Sequence, residues 1–223
     1  MLIYPMPATA YKLLSQLSTA LACTYLWDSS QRGKEVGLLE LQDLTLPGGR
    51  SAVSLLQSGQ LPQELIIEPL GTKTIKGRGK VAIPLQLAAP AAAQHCFIHR
   101  LSQFLRLCTT TGHPVTQYIF RPQSKGGGSF QEAPSSASCI YQRIVKALTE
   151  HGLYNGQSVH SYRRGNMQER HHKQGESKAV VAARALIKTD SIVNTYLDQS
   201  RHLPRKRRQQ LLREESTQKH ARL

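Results

Sequence analysis

The sequence is short of acid. It has 14 Asp and Glu residues against 29 Lys and Arg, a formal net charge of +15 and a pI of about 10.0. So large an excess attracts polyanions, chiefly nucleic acid or an acidic membrane surface. The chain also lacks a long hydrophobic run. None approaches the roughly 20 apolar residues that a spanning helix needs, which argues against insertion into a membrane. The N-terminal MLIYPMP has no basic stretch followed by a long apolar one, so no secretory signal is read there. Cysteine is sparse: Cys23, Cys96, Cys108 and Cys139 are scattered, with no C-x-x-C pair. They read as reduced intracellular thiols and not as zinc ligands or a disulfide frame. Neither G-x-x-x-x-G-K-[ST] nor G-x-G-x-x-G occurs, so a nucleotide-binding loop is not supported. No His/Cys/Asp/Glu cluster has metal-ligand spacing. The adjacent His171 and His172 would project to different sides of a regular helix and read as a solvated helix face. Neither a cofactor nor a metal is expected.

What is present is a pattern of helices around a small sheet. Leu13, Leu14, Leu17, Leu21 and Tyr25 recur at helical spacing, predicting an amphipathic helix over 9–27. A short helix with Val36, Leu38 and Leu39 is expected after Arg32, then a turn at Pro47-Gly48-Gly49. ELIIEPL and KVAIPLQL read as two strands of a β-hairpin joined by the basic loop GTKTIKGRG. Helical periodicity returns over 92–110, and residues 121–136 read as a flexible loop or linker rich in Gly, Pro and Ser. Three or four helices are predicted between Ser138 and Leu197, broken at Gly152, Gly156 and Gly175. The expected class is α+β, mainly α, with a small antiparallel sheet and no βαβ alternation.

The residues that carry chemistry come late in the chain. In VHSYRRG, His160 and Arg163 stand three apart and share a helix face, with Arg164 beside them; spacing alone does not choose between the two arginines. Arginines can hold a phosphate through paired, charge-assisted hydrogen bonds. Alone, this is also the pattern of a basic helix facing solvent or a nucleic-acid backbone. Arg32 precedes Glu35 by three residues, the spacing of an ion pair at a helix start. Lys73 sits among Lys76, Arg78 and Lys80 in the hairpin loop, and Tyr196 closes the stretch DSIVNTYLD.

Taken in order, these pieces resemble the catalytic domain of tyrosine recombinases, the integrase family of phage, bacteria and some eukaryotic mobile elements. QRGKEVGLLELQDL is similar to the first arginine box, IIEPLGTKT with GRGKVAIPL to the lysine-bearing hairpin, VHSYRRG to the His-x-x-Arg box and DSIVNTYLD to the tyrosine box. The HS-aromatic-RRG form is the one seen in eukaryotic retroelement and transposon recombinases. The resemblance covers roughly residues 10–200.

It implies a mainly helical catalytic domain over 1–200 and a basic tail over 201–223, without the family's N-terminal DNA-clamping domain. Arg32 and Arg163 would hold the nonbridging oxygens of the scissile phosphate, and His160 would hydrogen-bond the phosphate or assist proton transfer. Lys73 would protonate the departing 5′ hydroxyl, Tyr196 would attack phosphorus to give a 3′-phosphotyrosyl link, and Glu35 would buttress the first arginine box. Lys76, Arg78, Arg164, Arg205 and Arg207 are expected to contact DNA. The implied partners are double-stranded DNA and further copies of the chain on it, with no nucleotide. The implied place is intracellular, nuclear in a eukaryote, where PRKRR at 204–208 is a candidate localisation patch.

The pattern departs from the family nine residues before Tyr196, where a histidine or tryptophan is usual. Ile187 stands there, preceded by Leu186 in place of a common glycine, and Lys188 follows as a possible substitute donor. Two other readings stay open: a DNA-binding remnant without catalysis, and an unrelated basic RNA-binding protein.

Overall fold

A computed structural model describes residues 8–68, 82–124 and 128–198. They divide into two compact units, which meet in sequence between Asn166 and Met167.

The first unit starts with α1 (Ala8–Ser29). Leu14, Leu21 and Tyr25 are fully buried, as the periodicity predicts, and Leu26 joins them, but Leu13 is 50% exposed and lies off the apolar stripe. α2 (Gly33–Gly37) follows, with Val36 and Leu39 buried and Leu38 turned outward. A 3₁₀ turn at Leu41–Asp43 feeds β1 (Leu44–Thr45), and the Pro47–Gly48 turn leads on towards α3 (Val53–Ser58). β2 (Glu64–Ile67) and β3 (Ile83–Gln86) pair antiparallel, with Leu65 opposite Leu85 and Ile67 opposite Ile83. The sheet order is β1-β2-β3. Leu65, Ile67, Ile83 and Leu85 are buried and alternate with more exposed neighbours, the period of a one-sided sheet. Pro84 is tolerated because β3 is an edge strand.

A 3₁₀ segment at Pro90–His95 precedes α4 (Phe97–Thr110), so the helical stretch read at 92–110 is two pieces. They join at Cys96, whose backbone is extended, and the Asp28 carboxylate accepts the Phe97 amide at 3.0 Å. The Tyr25 ring packs between Phe97 and Phe120, with centroids 5.0 and 6.1 Å away.

The described residues of 121–136 form an ordered loop and not a linker. Arg121, 4% exposed, pairs with Glu132 and lies over the Phe130 ring, and Gln123 bridges Phe130. A buried arginine paired with a half-exposed glutamate is not visible in a Gly- and Pro-rich composition. α5 (Ala137–Glu150) begins at Ser136, whose hydroxyl accepts the Cys139 amide as an N-cap.

α6 (Val159–Gln168) leads into a π-helical turn, Glu169–Lys173, and the second unit continues with α7 (Lys178–Arg184) and α8 (Asp190–Leu197). Gly152, Gly156 and Gly175 all have positive φ and break the helices where the sequence places the breaks. The core of the second unit is small: Met167, Val181, Ala182, Ala185, Ile187, Val193 and Leu197. His171 and His172 lie in the π turn with ring centroids 4.8 Å apart, yet reach different partners, His171 Nδ1 standing 2.8 Å from the Glu176 carbonyl and His172 Nε2 3.0 Å from the Leu197 carbonyl.

All four cysteines are free. Among the described residues, no helix is long and apolar enough to cross a membrane, and no group of His, Cys, Asp or Glu could hold a metal ion.

Candidate functional site

The site in the first unit is built on Arg163, which projects from α6 yet is only 2% exposed. Burying a guanidinium is costly unless hydrogen bonds replace its water. One replacement is the carbonyl of Ser30, which accepts from Nη1 at 2.8 Å. Ser30 follows the end of α1 and has φ of 54°, a left-handed conformation uncommon outside glycine. Its hydroxyl donates to Oδ1 of Asn166 at 2.5 Å, three residues after Arg163 on α6. Ser30, Gln31, Arg163 and Asn166 are all buried. The arginine is therefore held by a polar network inside the protein and not swung from the surface.

Two glycines let the helices come close enough for this. A Cβ on Gly33 would stand 3.0 Å from a methyl of Val159, and one on Gly165 would stand 2.7 Å from the Trp27 ring. The first approach sets the start of α2 against the start of α6, so Arg32 and His160, each next to one of these contact residues, arrive in the same place. Glu35 is buried; its Oε2 accepts the Arg32 amide at 2.8 Å and its Oε1 lies 3.6 Å from the Arg32 guanidinium. This carboxylate caps α2 and steadies the residue before it.

The electrostatics agree with this proximity. His160 has a pKa below the ordinary histidine value. Desolvation of the ring is the larger cause, although the residue stays exposed, and the positive charges of Arg163, Arg32 and Arg164 push in the same direction. Three guanidinium groups near one imidazole form a cationic patch that disfavours further positive charge and favours an anion. Tyr162, between His160 and Arg163, turns inward: its hydroxyl lies 3.2 Å from Cys23 Sγ, and burial pushes its pKa up. Tyr25 is likewise fully buried with a raised pKa. Neither phenol is suited to ionise or attack.

Tyr196 belongs to the second unit. It sits in the last turn of α8, half-buried against the core that Val193 and Leu197 enter. Ile187 is 9% exposed and is part of that core, and Lys188 is exposed. Leu186 has φ of 52°. It ends α7 in a Schellman turn: the Ile187 amide donates to the Ala182 carbonyl at 2.9 Å and the Leu186 amide to Ala183 at 3.0 Å. Glycine adopts this conformation freely, and a leucine here carries a steric cost.

Of the five side chains expected to act on a phosphate, Arg32, His160 and Arg163 share one neighbourhood in the first unit, with Arg164 alongside. Lys73, Lys76, Arg78, Arg205 and Arg207 lie outside the described residues. Sequence reasoning missed Ser30 and Asn166. Nothing in DSSQRG or RRGNM marks them, because their role depends on the left-handed turn after α1 meeting α6.

No family model matches the sequence, and a search of curated proteins finds no match. Solved structures do match. XerH site-specific recombinase, in the post-cleavage complex with its palindromic difH substrate, aligns with a TM-score of 0.56 at 14% identity, over 90% of this chain and 52% of that one. Its pre-cleavage complex with difH gives 0.53 at 12% identity, over 86% and 50%. XerA recombinase gives 0.54 at 17% identity, over 98% and 64%. The chain thus spans about half the length of the XerH chain. Its order of elements and its three-stranded antiparallel sheet are those of a tyrosine-recombinase catalytic domain, and that is the fold of this protein.

Proposed function

We propose that the chain is a DNA breaking-and-rejoining domain that forms a 3′-phosphotyrosyl intermediate in site-specific recombination or integration. The observation that carries this is the cationic cluster of Arg32, His160, Arg163 and Arg164, pre-set by the buried Ser30–Asn166–Arg163 network, within this fold. A phosphoryl transition state gathers negative charge on its nonbridging oxygens, and cations already in position stabilise it without reorganising.

In the proposed step the Tyr196 oxygen attacks phosphorus, the bond to the 5′ oxygen breaks and the phenolic proton is lost. The departing 5′ oxygen takes up a proton, which the family resemblance assigns to Lys73. Return of a 5′ hydroxyl reverses the step. One phosphoester bond replaces another, so no nucleotide is consumed. Double-stranded DNA is the substrate, and further copies of the chain on that DNA are the expected partners. The HS-aromatic-RRG form supports a mobile-element origin, with action in the nucleus if the host is eukaryotic.

A second reading, a DNA-binding remnant that no longer cuts, is supported by Ile187. The family has a hydrogen-bond donor there, and this chain has a core side chain. The experiment uses a pool of duplexes of randomised sequence, each nicked in one strand, so that the short 5′-hydroxyl fragment diffuses away after attack. The first reading predicts a detergent-resistant protein–DNA adduct with the full chain, absent in Tyr196→Phe. Binding without an adduct selects the remnant, and no salt-sensitive binding at all rejects both.

A further inference from the structure

The last carbonyls of an α-helix have no partner within the helix and must find one elsewhere. In α8 these carbonyls surround Tyr196. The Asp198 amide returns to Asn194 at 2.9 Å. The carbonyls beyond that bond are taken by side chains from the end of α6 and the π turn after it. Gln168 Nε2 donates to the Tyr196 carbonyl at 3.1 Å and reaches the Asp198 carbonyl at 3.5 Å. His172 Nε2 lies 3.0 Å from the Leu197 carbonyl. A carbonyl only accepts, so Nε2 carries the hydrogen in this contact. Three successive carbonyls at the end of α8 are thus held by two side chains.

The π turn is itself braced. The Gln174 amide bonds the Glu169 carbonyl at 3.1 Å, the five-residue step of a π-helix, and Glu176 pairs with Arg170 at 2.8 Å and with Arg184 at 3.8 Å. His171 Nδ1 lies 2.8 Å from the Glu176 carbonyl. On the other side, Lys178 on α7 donates to Asn194 on α8 at 3.0 Å. π turns are rare and occur often at functional sites. This one presents His172 to α8 at the turn that carries the expected nucleophile.

We infer that Gln168 and His172 are positioning residues for Tyr196: they cap the end of α8 and so fix the direction in which the phenol leaves the backbone. The inference rests on the proposed role of Tyr196. An uncapped last turn frays, and in-line attack tolerates little misplacement, with about 1 Å costing roughly a hundredfold in rate.

The test uses the full chain with Gln168→Glu, which keeps the shape but replaces the donor with an acceptor, and His172→Phe, which keeps a ring without a donor. His172→Gln restores a donor. Three quantities are measured: amide exchange in the last turn of α8, affinity for the nicked duplex pool, and the rate of adduct formation at saturating DNA. The expected result for Gln168→Glu and His172→Phe is about tenfold faster exchange in that turn. Their adduct rate should fall roughly tenfold to a hundredfold with affinity unchanged. His172→Gln should stay near the parent in all three. Unchanged exchange overturns the inference, as does an unchanged adduct rate in variants whose Tyr196→Phe counterpart makes none. If the parent chain makes no adduct, the proposed function fails instead, and the exchange rates alone decide whether these side chains hold the Tyr196 turn.

Discussion

Gly37→Ala sets two effects against each other at the helix that carries Arg32 into place. On helix propensity alone, alanine should stabilise the end of α2 by up to about 1 kcal/mol. The packing opposes it. A Cβ on Gly37 would stand 1.8 Å from the carbonyl oxygen of Ser135 and 2.9 Å from its carbon. An ordinary carbon–oxygen contact is about 3.3 Å, so the backbone ahead of α5, or α2 itself, must retreat by roughly 1.5 Å. Unlike a flexible side-chain tip, this backbone is anchored: the Ser135 amide donates to Phe120 at 2.9 Å, and Ser136 caps α5. Overpacking of this kind costs about 1–3 kcal/mol, and straining the Ser135–Phe120 hydrogen bond adds about 1 kcal/mol. The steric effect wins, with a net loss of about 2 kcal/mol. Urea unfolding followed by the fluorescence of Trp27, the only tryptophan, reads the first unit. Affinity for the nicked duplex pool should fall as well, because Arg32 moves with α2. Gly165→Ala is the control: its obstacle is the Trp27 ring, 37% exposed and able to turn, so its loss should stay below about 1 kcal/mol. A Gly37→Ala chain as stable as its parent would refute the reasoning.

The His160 titration followed by NMR should have its midpoint below the usual histidine value, and DNA should raise it as the phosphate offsets the arginines. Because the folded chain disfavours the protonated ring, this residue's contribution to stability is full above the unfolded pKa of about 6.5 and declines as pH falls below it. His160→Gln should flatten that part of the stability–pH curve, and an unchanged slope would refute the assignment. Arg164→Ala should reduce the slope of log affinity against log salt by about 1 if it meets a phosphate; an unaltered slope excludes that contact. Leu186→Gly relieves a left-handed residue and should slow amide exchange in α7, by about 0.5 kcal/mol in local stability; faster exchange would show that the leucine side chain matters more. Ile187→His places a polar ring in the small core of the second unit and should destabilise it by roughly 2 kcal/mol, read as loss of protection in α7 and α8.

The sequence by itself determined the class of fold, because its signals are local and periodic. The apolar stripe of α1, the alternation in β2 and β3, and the breaks at Gly152, Gly156 and Gly175 each follow from backbone geometry and burial within a short window. It also singled out Arg32, His160 and Arg163, which the structure brings into one neighbourhood. Tertiary structure decided the rest. That Arg163 is buried follows from a left-handed serine at the end of one helix meeting an asparagine on another, 136 residues apart. That the described residues of 121–136 pack as a loop depends on Arg121 finding Glu132. That His172 faces the Tyr196 turn depends on a π turn, which no side-chain periodicity announces. These are contacts between segments distant in sequence or changes in helical winding, and a local pattern carries no record of either.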